Sequence, residues 1–582
     1  MKQRDQRGDR VDRRHAGRFT DLDADKLRGG YYTSPEVAAW LAKWAIQNPD
    51  DVVLEPSCGD GVFLEAAAVR LRQLGAHPRT VSHNLTGIEI LAAAADRARA
   101  RLGSIASLPP TVVETGDFFA WWRQPARGSF DVVIGNPPFI RYQSFPEPHR
   151  GLAMTIMAEL GLIPNRLTNI WVPFVAAAAA ALRPAGRLAL VLPAELLQVS
   201  YASQLRAFLT ERFARLDLVA CNELFFARAE QEVVLLLAGG ALGEPSAGNA
   251  CRVALTAAHS VGQITERPPA EVLAGAMPKT VRHDGEKWLK YFLTEREITF
   301  LRALRAAPCT TALATHASVD IGVVTGKNEF FVLSADQVHR LGGGHTVPVV
   351  SRSGHLKGAC FSTADWQGLA AAGDRVHLLH LAPLNGSRPS PRLARYLRSG
   401  EAGGIHRGYK CSIRAPWYAV PSVWVPDAFL FRQIYDFPRL VLNQAGATST
   451  DTIHRLRGRA APDQIVSSLY THLTAASAEI EGRSYGGGVL ELEPTEAERL
   501  LVPAELGAGL PLAECDRLIR AGRIDQVLAE NDALLLRGRM GLSSGECSML
   551  RDAWIKMRDR RLARRRRGSR APCPSRREPD ML

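Results

Sequence analysis

No two of the nine cysteines are spaced C-x-x-C, so neither a zinc site nor a disulfide framework is indicated, and a reducing, cytoplasmic setting is expected. Nor is there an apolar run long enough to span a bilayer: the most membrane-like stretch, residues 170–182, is short and runs into Arg183, Pro184 and Arg187. The N-terminal residues are polar and charged without an apolar segment, which argues against a secretory signal. No internal repeat is visible, and the alanine run at 176–181 reads as a helix packed on a sheet rather than as low complexity.

What is present is ordinary globular material. Apolar residues make up 46% and charged residues 23% of 582, enough for more than one core, and at about 100–200 residues per domain two to four units are expected. The formal charge of +13 sits mostly at the ends: residues 1–15 carry +3 and residues 556–582 carry +8, leaving +2 for everything between. Basic ends favour phosphate backbones in a salt-dependent, sequence-blind way, so the charge is compatible with a polyanionic partner without naming one. The run Arg564 to Arg567 reads equally as a solvated, disordered tail.

From about residue 50 to 240, short runs rich in Val, Ile and Leu alternate with Ala- and Arg-rich segments of helical length. Strands are predicted at 51–54, 85–89, 111–114, 131–134, 187–192, 216–220 and 232–238, with helices between most of them. Seven strands with helical crossovers imply an α/β fold with a doubly wound, mostly parallel sheet. Beyond 240 that rhythm gives way to irregular Gly- and Pro-containing sequence with strand-like pieces such as 321–325 and 440–443, and helical periodicity returns over 510–540. The expected organisation is a basic N-terminus (1–28), an α/β domain (29–245), a mixed α+β domain (246–505), a helical segment (506–555) and a basic tail (556–582).

The chemistry concentrates at the ends of the predicted strands. The first runs into Glu55-Pro56-Ser57-Cys58-Gly59-Asp60-Gly61 and then a helix, a turn whose glycines let a ligand approach the backbone. The G-x-G-x-x-G fingerprint is absent there, which argues against a nicotinamide dinucleotide. The second strand ends at Glu89, where a carboxylate can accept from both hydroxyls of a ribose. The third leads to Asp117-Phe118, an acceptor for an adenine amino group beside a ring for its purine face. Each acid alone could be a solvated or helix-capping residue; three such turns in order would surround one nucleoside-like cofactor.

The fourth strand ends in Gly135-Asn136-Pro137-Pro138-Phe139. Two prolines stiffen the turn and remove N–H donors, leaving its carbonyls free to accept. An exocyclic amino group is a poor nucleophile because its lone pair is delocalised into the ring. Acceptors from the Asn136 side chain and the Pro137 carbonyl would favour a pyramidal nitrogen aimed at an electrophilic methyl sulfonium.

With these motifs the chain resembles the gamma-class, TaqI-like adenine-N6 DNA methyltransferases of restriction–modification systems. Tyr31-Tyr32-Thr33 looks like the family's N-terminal cofactor motif, Glu55 to Gly61 its glycine motif, Glu89-Ile90 its ribose motif, Asp117-Phe118 its adenine motif and Asn136 to Phe139 its catalytic motif. The resemblance implies a class I methyltransferase sheet, S-adenosyl-L-methionine as cofactor, and a flipped-out adenine held by Asn136 and Pro137. Relatives often have Tyr at the position of Phe139. One stack supplies ~1–3 kcal/mol against a few kcal/mol for extruding a base, so a second ring is expected. The family supplies it before the penultimate strand of the sheet, where Phe225 is the choice and Phe226 the alternative. Neither a metal nor a catalytic cysteine is required, and Cys58 reads as a packing residue.

The resemblance extends to residues 322–328, 414–418, 443–454 and 485–488, which look like a target-recognition region for double-stranded DNA. Lys327, Asn328, Arg407, Lys410, Arg414, Asn443 and His454 are its candidate contacts, with Arg352, His406, Gln444 and Arg455 of suitable type; for each alone a surface or loop-capping role is the commoner one. No acidic pair followed by E-x-K is seen and about thirty residues precede Tyr31, so cleavage is expected of a separately encoded restriction endonuclease. The competing readings are an RNA or protein amide methyltransferase and a non-catalytic DNA-specificity protein.

Overall fold

A strand forms at each of the seven expected places: Val53–Glu55 (β1), Leu85–Glu89 (β2), Val113–Thr115 (β3), Phe130–Gly135 (β4), Leu182–Pro193 (β5), Phe213–Cys221 (β6) and Val233–Ala241 (β7). The structure, a computed structural model, describes residues 33–123, 129–165, 168–221, 232–242, 251–282, 286–381, 389–485 and 488–563. Two further strands, Arg252–Ala258 (β8) and Pro278–Lys279 (β9), complete a nine-stranded mixed sheet in the order β3-β2-β1-β4-β5-β7-β6-β8-β9. The sheet is therefore larger than the seven-stranded one expected. Strand β7 runs antiparallel to both β5 and β6, while β8 pairs parallel to β6 along its whole length.

That pairing also moves the domain boundary. The chain divides into two compact units between Glu286 and Lys287, not near residue 245. The reason is that β8 adds seven residue pairs to the first sheet, and Trp40 Nε1 donates to the Arg267 carbonyl at 3.0 Å.

Helices cover the sheet. Helix α1 (Pro35–Ala45) opens with proline at its first position and buries Val37, Ala38, Trp40, Leu41, Ala42 and Ala45, a single apolar face. Helices α2 (Val62–Gln73), α3 (Ala92–Ala106) and α4 (Phe118–Trp122) follow β1, β2 and β3. After β4 come α5 (His149–Glu159) and α6 (Trp171–Ala180), the alanine-run helix, which is buried almost throughout. Covered on both faces, the central strands need no polar alternation, and Val132, Val133 and Ile134 are all fully buried.

The opposite edge of the sheet is clamped by carboxylates. Asp51 accepts the Gln47 and Asn48 N–H groups and Arg187 Nη2 at 2.8–3.1 Å, and Asp131 accepts the Val52 N–H at 2.8 Å. Register is thereby fixed where β1, β4 and β5 start. Their far ends open at the point where the strand order reverses about β1, the crevice in which doubly wound sheets bind ligands.

The second unit is mixed α+β. A five-stranded sheet joins, in order, Ala317–Asp320, Ile453–Gly458, Ala428–Phe431, Leu440–Asn443 and Cys360–Phe361, and the described residues of the unit also form sheets of four, three and two strands. The stretch 440–443 is a strand as expected, whereas 321–325 makes only an isolated bridge, Val323 to Thr450. A wholly buried helix, α7 (His472–Glu481), packs against the long α8 (Ser544–Ala563). Helices also form at Leu512–Arg520 and Ile524–Asn531, within the window where periodicity returns. Helix α8 runs eight residues into the stretch expected to be a disordered tail, because Cys547, Leu550, Trp554, Met557 and Arg561 recur at helical spacing on one buried face.

Candidate active site

A cavity of about 420 Å³ opens at the carboxyl ends of β1, β2, β3 and β4, within the size range of small-molecule pockets. Its first wall is the turn from Glu55 to Gly61. Gly59 and Gly61 adopt φ of +55° and +84°, and a Cβ on Gly61 would stand 3.0 Å from that of Ala98 on α3. Only glycine fits there without strain. The turn is pinned by Cys58 N–H donating to the Ile88 carbonyl at 2.9 Å, and by Arg101 on α3, which pairs with Asp60 and Glu65 at 2.7 and 2.9 Å.

Glu89 forms the second wall. Its Oε2 accepts the Gly59 N–H and its Oε1 the Leu91 N–H, both at 2.9 Å, so the carboxylate is held rigidly. Each oxygen keeps further acceptor capacity for a ligand hydroxyl. Glu55 lies deeper, 1% exposed, and accepts the Leu64 N–H at 3.1 Å; burial raises its pKa well above the usual carboxylate range. Burial and the charges of Glu55 and Glu89 also push the Cys58 thiol far up, which makes it an inert packing group.

At the third wall, Asp117 caps α4 through Oδ1, which accepts the Phe119 N–H at 2.8 Å. Its other oxygen pairs with His149 Nδ1 at the start of α5. Phe118 is buried and stacks on Phe174 at 5.3 Å, and both rings line the cavity beside the half-exposed Ile90.

The fourth wall is the corner after β4. Asn136 and Pro138 line the cavity, Asn136 Nδ2 donates to Thr33 Oγ1 at 3.3 Å, and Ser57 Oγ donates to the Asn136 carbonyl at 3.3 Å. Thr33, Pro56 and Ser57 line it too. Pro137 is buried beneath the corner. Phe139 is half-buried against the apolar core and lies outside the lining of this cavity. Tyr31, Tyr32, Phe225 and Phe226 lie outside the described residues. Sequence reasoning missed the segment after the corner: Ile140, Ser144, Phe145, Pro146 and His149 close the cavity together with Phe174. No motif marks them, since their contribution depends on how α5 and α6 fold back.

The candidate DNA contacts separate into two groups. Arg407, Lys410 and Lys327 are exposed, Lys410 standing over the Tyr409 ring and Lys327 near Glu329 at 3.4 Å. Arg352 and Gln444 are also exposed, and His406 is half-buried near Trp417. The rest are occupied by the fold. Arg414 donates to the Thr325 and Val324 carbonyls at 2.9 and 2.6 Å. Asn443 donates to the Pro426 and Ala447 carbonyls, both at 2.8 Å, and Asn328 accepts from Thr325 at 2.6 Å. His454 is fully buried, bonded to the Leu492 carbonyl at 2.6 Å, with its pKa lowered by burial. Arg455 donates to the Ile321 and Ser422 carbonyls and lies over Trp424, its pKa pulled down to about 10 by burial. His454 and Arg455 are thus packing residues, and Arg414 and Asn443 are loop clamps: irregular backbone leaves carbonyls that buried side chains must satisfy.

Two family models match the chain. Residues 107–225 match the Eco57I restriction-modification methylase, and residues 285–536 match the C-terminal domain of the Type II methyltransferase M.Eco57I. These matches, together with the curated relatives, support a restriction–modification methyltransferase. Among the curated Type II methyltransferases it resembles, M.AccI of Acinetobacter calcoaceticus is 20% identical over 496 residues, 82% of this chain and 86% of that protein. M.XamI of Xanthomonas campestris pv. amaranthicola is 23% identical over 483 residues, covering 82% and 85%. A solved structure of the Type IIL restriction–modification enzyme MmeI with DNA shares the fold, at a TM-score of 0.56 and 12% identity over 92% of this chain and 80% of that one. No helix among the described residues is long and apolar enough to cross a membrane.

Proposed function

We propose that the chain is a gamma-class DNA methyltransferase that moves a methyl group from S-adenosyl-L-methionine to N6 of an adenine flipped out of duplex DNA. One observation carries the reading: Asn136, the acceptor at the stiff Pro-Pro corner, lines the same cavity as Glu89 and the glycine turn. A nucleoside pocket and an amide poised for an amino group therefore share one wall.

The cavity's donors and acceptors suit the cofactor. Glu89, fixed by two N–H groups, has lone pairs left for ribose hydroxyls, and Phe118 with Ile90 gives apolar surface for a purine. When bound, S-adenosylmethionine supplies an electrophilic methyl group on sulfonium sulfur. The chain's residues do the rest by positioning. Asn136 Oδ1 and the Pro137 carbonyl accept the two amino hydrogens, which turns the nitrogen lone pair towards the methyl group, and Phe139 stacks on the extruded base. Alignment of this kind replaces a strong base, because the amino nitrogen becomes acidic only once the N–C bond has formed and then gives its proton to solvent.

Exposed Lys327, Arg407 and Lys410 serve phosphate contacts in the second unit, with a separately encoded nuclease as the enzyme's counterpart. The test is transfer of tritiated methyl from S-adenosylmethionine to duplex DNA, RNA and release factor, followed by long-read sequencing of DNA from expressing cells. Label in DNA with N6-methyladenine at one sequence motif is expected. Label confined to RNA or protein, or methylation of cytosine, overturns the proposal.

A further inference from the structure

The Asp117–His149 pair is not explained by the fold alone. Asp117 Oδ1 already caps α4 by accepting the Phe119 N–H at 2.8 Å, so its second oxygen is not needed to hold the helix. That oxygen is met by His149 Nδ1, from a helix that starts thirty-two residues later in the chain. Both residues line the donor cavity, Asp117 with a nearly buried side chain and His149 with one about a third exposed. A carboxylate oxygen accepts, so Nδ1 carries a proton and donates it to Asp117 Oδ2.

The segment that brings His149 there is seated by aromatic packing. Phe145 meets Phe119 edge-on at 6.4 Å and lies 6.2 Å from the His149 ring, while Phe174 packs on Phe118 and Phe119 at 5.3 and 4.6 Å. The imidazole thus lies beside Phe145, itself held by Phe119, and aims one N–H at one carboxylate oxygen. With the carboxylate plane fixed at both oxygens, the remaining lone pairs have a defined direction towards the cavity.

We infer that His149 is a positioning residue for the methyl donor: by fixing Asp117 from the side opposite the helix cap, it makes the carboxylate a directed acceptor for the exocyclic amino group of the donor's purine. This rests on the methyltransferase reading and adds to it a residue that no motif contains. It also ties donor recognition to the segment immediately after the Asn136–Phe139 corner.

The test is calorimetric binding of S-adenosylhomocysteine and of S-inosylhomocysteine, in which a carbonyl replaces the amino group, to the full chain and its variants. The wild type is expected to prefer the adenosyl ligand by about tenfold or more, since a missing donor leaves a carboxylate facing an oxygen. His149→Ala is expected to cut that preference to about threefold or less with an unchanged thermal melting point, and His149→Gln, whose amide can still donate, to restore most of it. A merely structural role would weaken both ligands alike and leave their ratio untouched; that result, or an undiminished preference in His149→Ala, overturns the inference. So does a wild type that binds both ligands equally, because Asp117 then reads no amino group. Failure of the wild type to bind either ligand overturns the methyltransferase reading itself.

Discussion

Arg561 and Glu479 meet fork to fork inside the second unit, Arg561 Nε donating to Oε2 at 3.1 Å and Nη2 to Oε1 at 2.6 Å, with side chains 1% and 3% exposed. The remaining guanidinium nitrogen donates to the Ile434, Tyr435 and Gly488 carbonyls. A residue counted by charge as part of a basic tail is therefore buried on the inner face of α8. Removing one partner of such a pair strands the other charge and costs about 3–5 kcal/mol. Arg561→Ala is expected to lower the unfolding free energy of this unit by that amount in urea titrations, and truncation after Ile555, which also removes buried Met557, by more. The double replacement Arg561→Met with Glu479→Leu should recover most of the loss.

Asn136→Ala removes the amide that is to hold the target amino group, together with its bond to Thr33. Methylation should fall by about 10²–10³-fold or more, the scale seen when one transition-state donor or acceptor is lost. Donor binding by calorimetry and DNA binding by gel shift should stay within about threefold of wild type. Methylation at the wild-type rate would remove Asn136 from the mechanism.

Gly61→Ala puts a side chain on a residue at φ +84° and 3.0 Å from Ala98. Left-handed backbone costs a non-glycine residue about 1–2 kcal/mol, before any repacking of α2 against α3. Donor affinity is expected to drop by about tenfold, with a matching loss of thermal stability, because the turn must shift to relieve the contact. Unchanged affinity would mean that the turn does not cradle the donor.

Glu55 gives the fold a pH dependence. Its pKa is raised in the folded state by burial, so the folded protein holds that proton to higher pH than the unfolded chain does. Its contribution to stability is complete below the unfolded value near 4.5 and declines as the pH rises through the folded value. Glu55→Gln keeps an acceptor for the Leu64 N–H and removes the charge. Melting temperatures measured from pH 5 to 8 should therefore fall less steeply with pH in the variant than in the wild type. A parallel pair of curves would assign the pH dependence elsewhere.

Arg407 and Lys410 are exposed and belong to a stretch, 402–426, that contains no acidic residue. Replacing each with Ala should weaken duplex binding at every sequence and reduce the slope of log affinity against log salt by about one. The methylated motif read by long-read sequencing should not change. A shifted motif would show that these side chains contact bases.

The sheet and its turns were legible because parallel strands buried on both faces must be runs of Val, Ile and Leu, as at residues 132–134, and because left-handed turns at a crowded crossover require glycine, as at Gly61. Strand β8 was not: Arg-Val-Ala-Leu-Thr-Ala-Ala has no such signature, and its place comes from pairing with β6. Among the polar residues of the second unit, composition could not separate Arg407, which faces solvent, from Arg414, which clamps two carbonyls. Both suit phosphate chemistry, and only the backbone around them decides. For Arg561 the positive charge outweighed a helical spacing that was present all along. His149 was invisible for a different reason: its partner stands thirty-two residues earlier in the chain, and nothing near it in the sequence announces the pair.

Strands β1 and β4 are hydrogen-bonded neighbours, and Ser57 reaches across to the Asn136 carbonyl. The glycine turn and the proline corner are consequently mounted on one stiff beam rather than on separate loops. A shift in a loop elsewhere in the chain is expected to leave their alignment unchanged. Substitutions on the other surfaces of the chain can therefore accumulate without disturbing how the turn and the corner face each other.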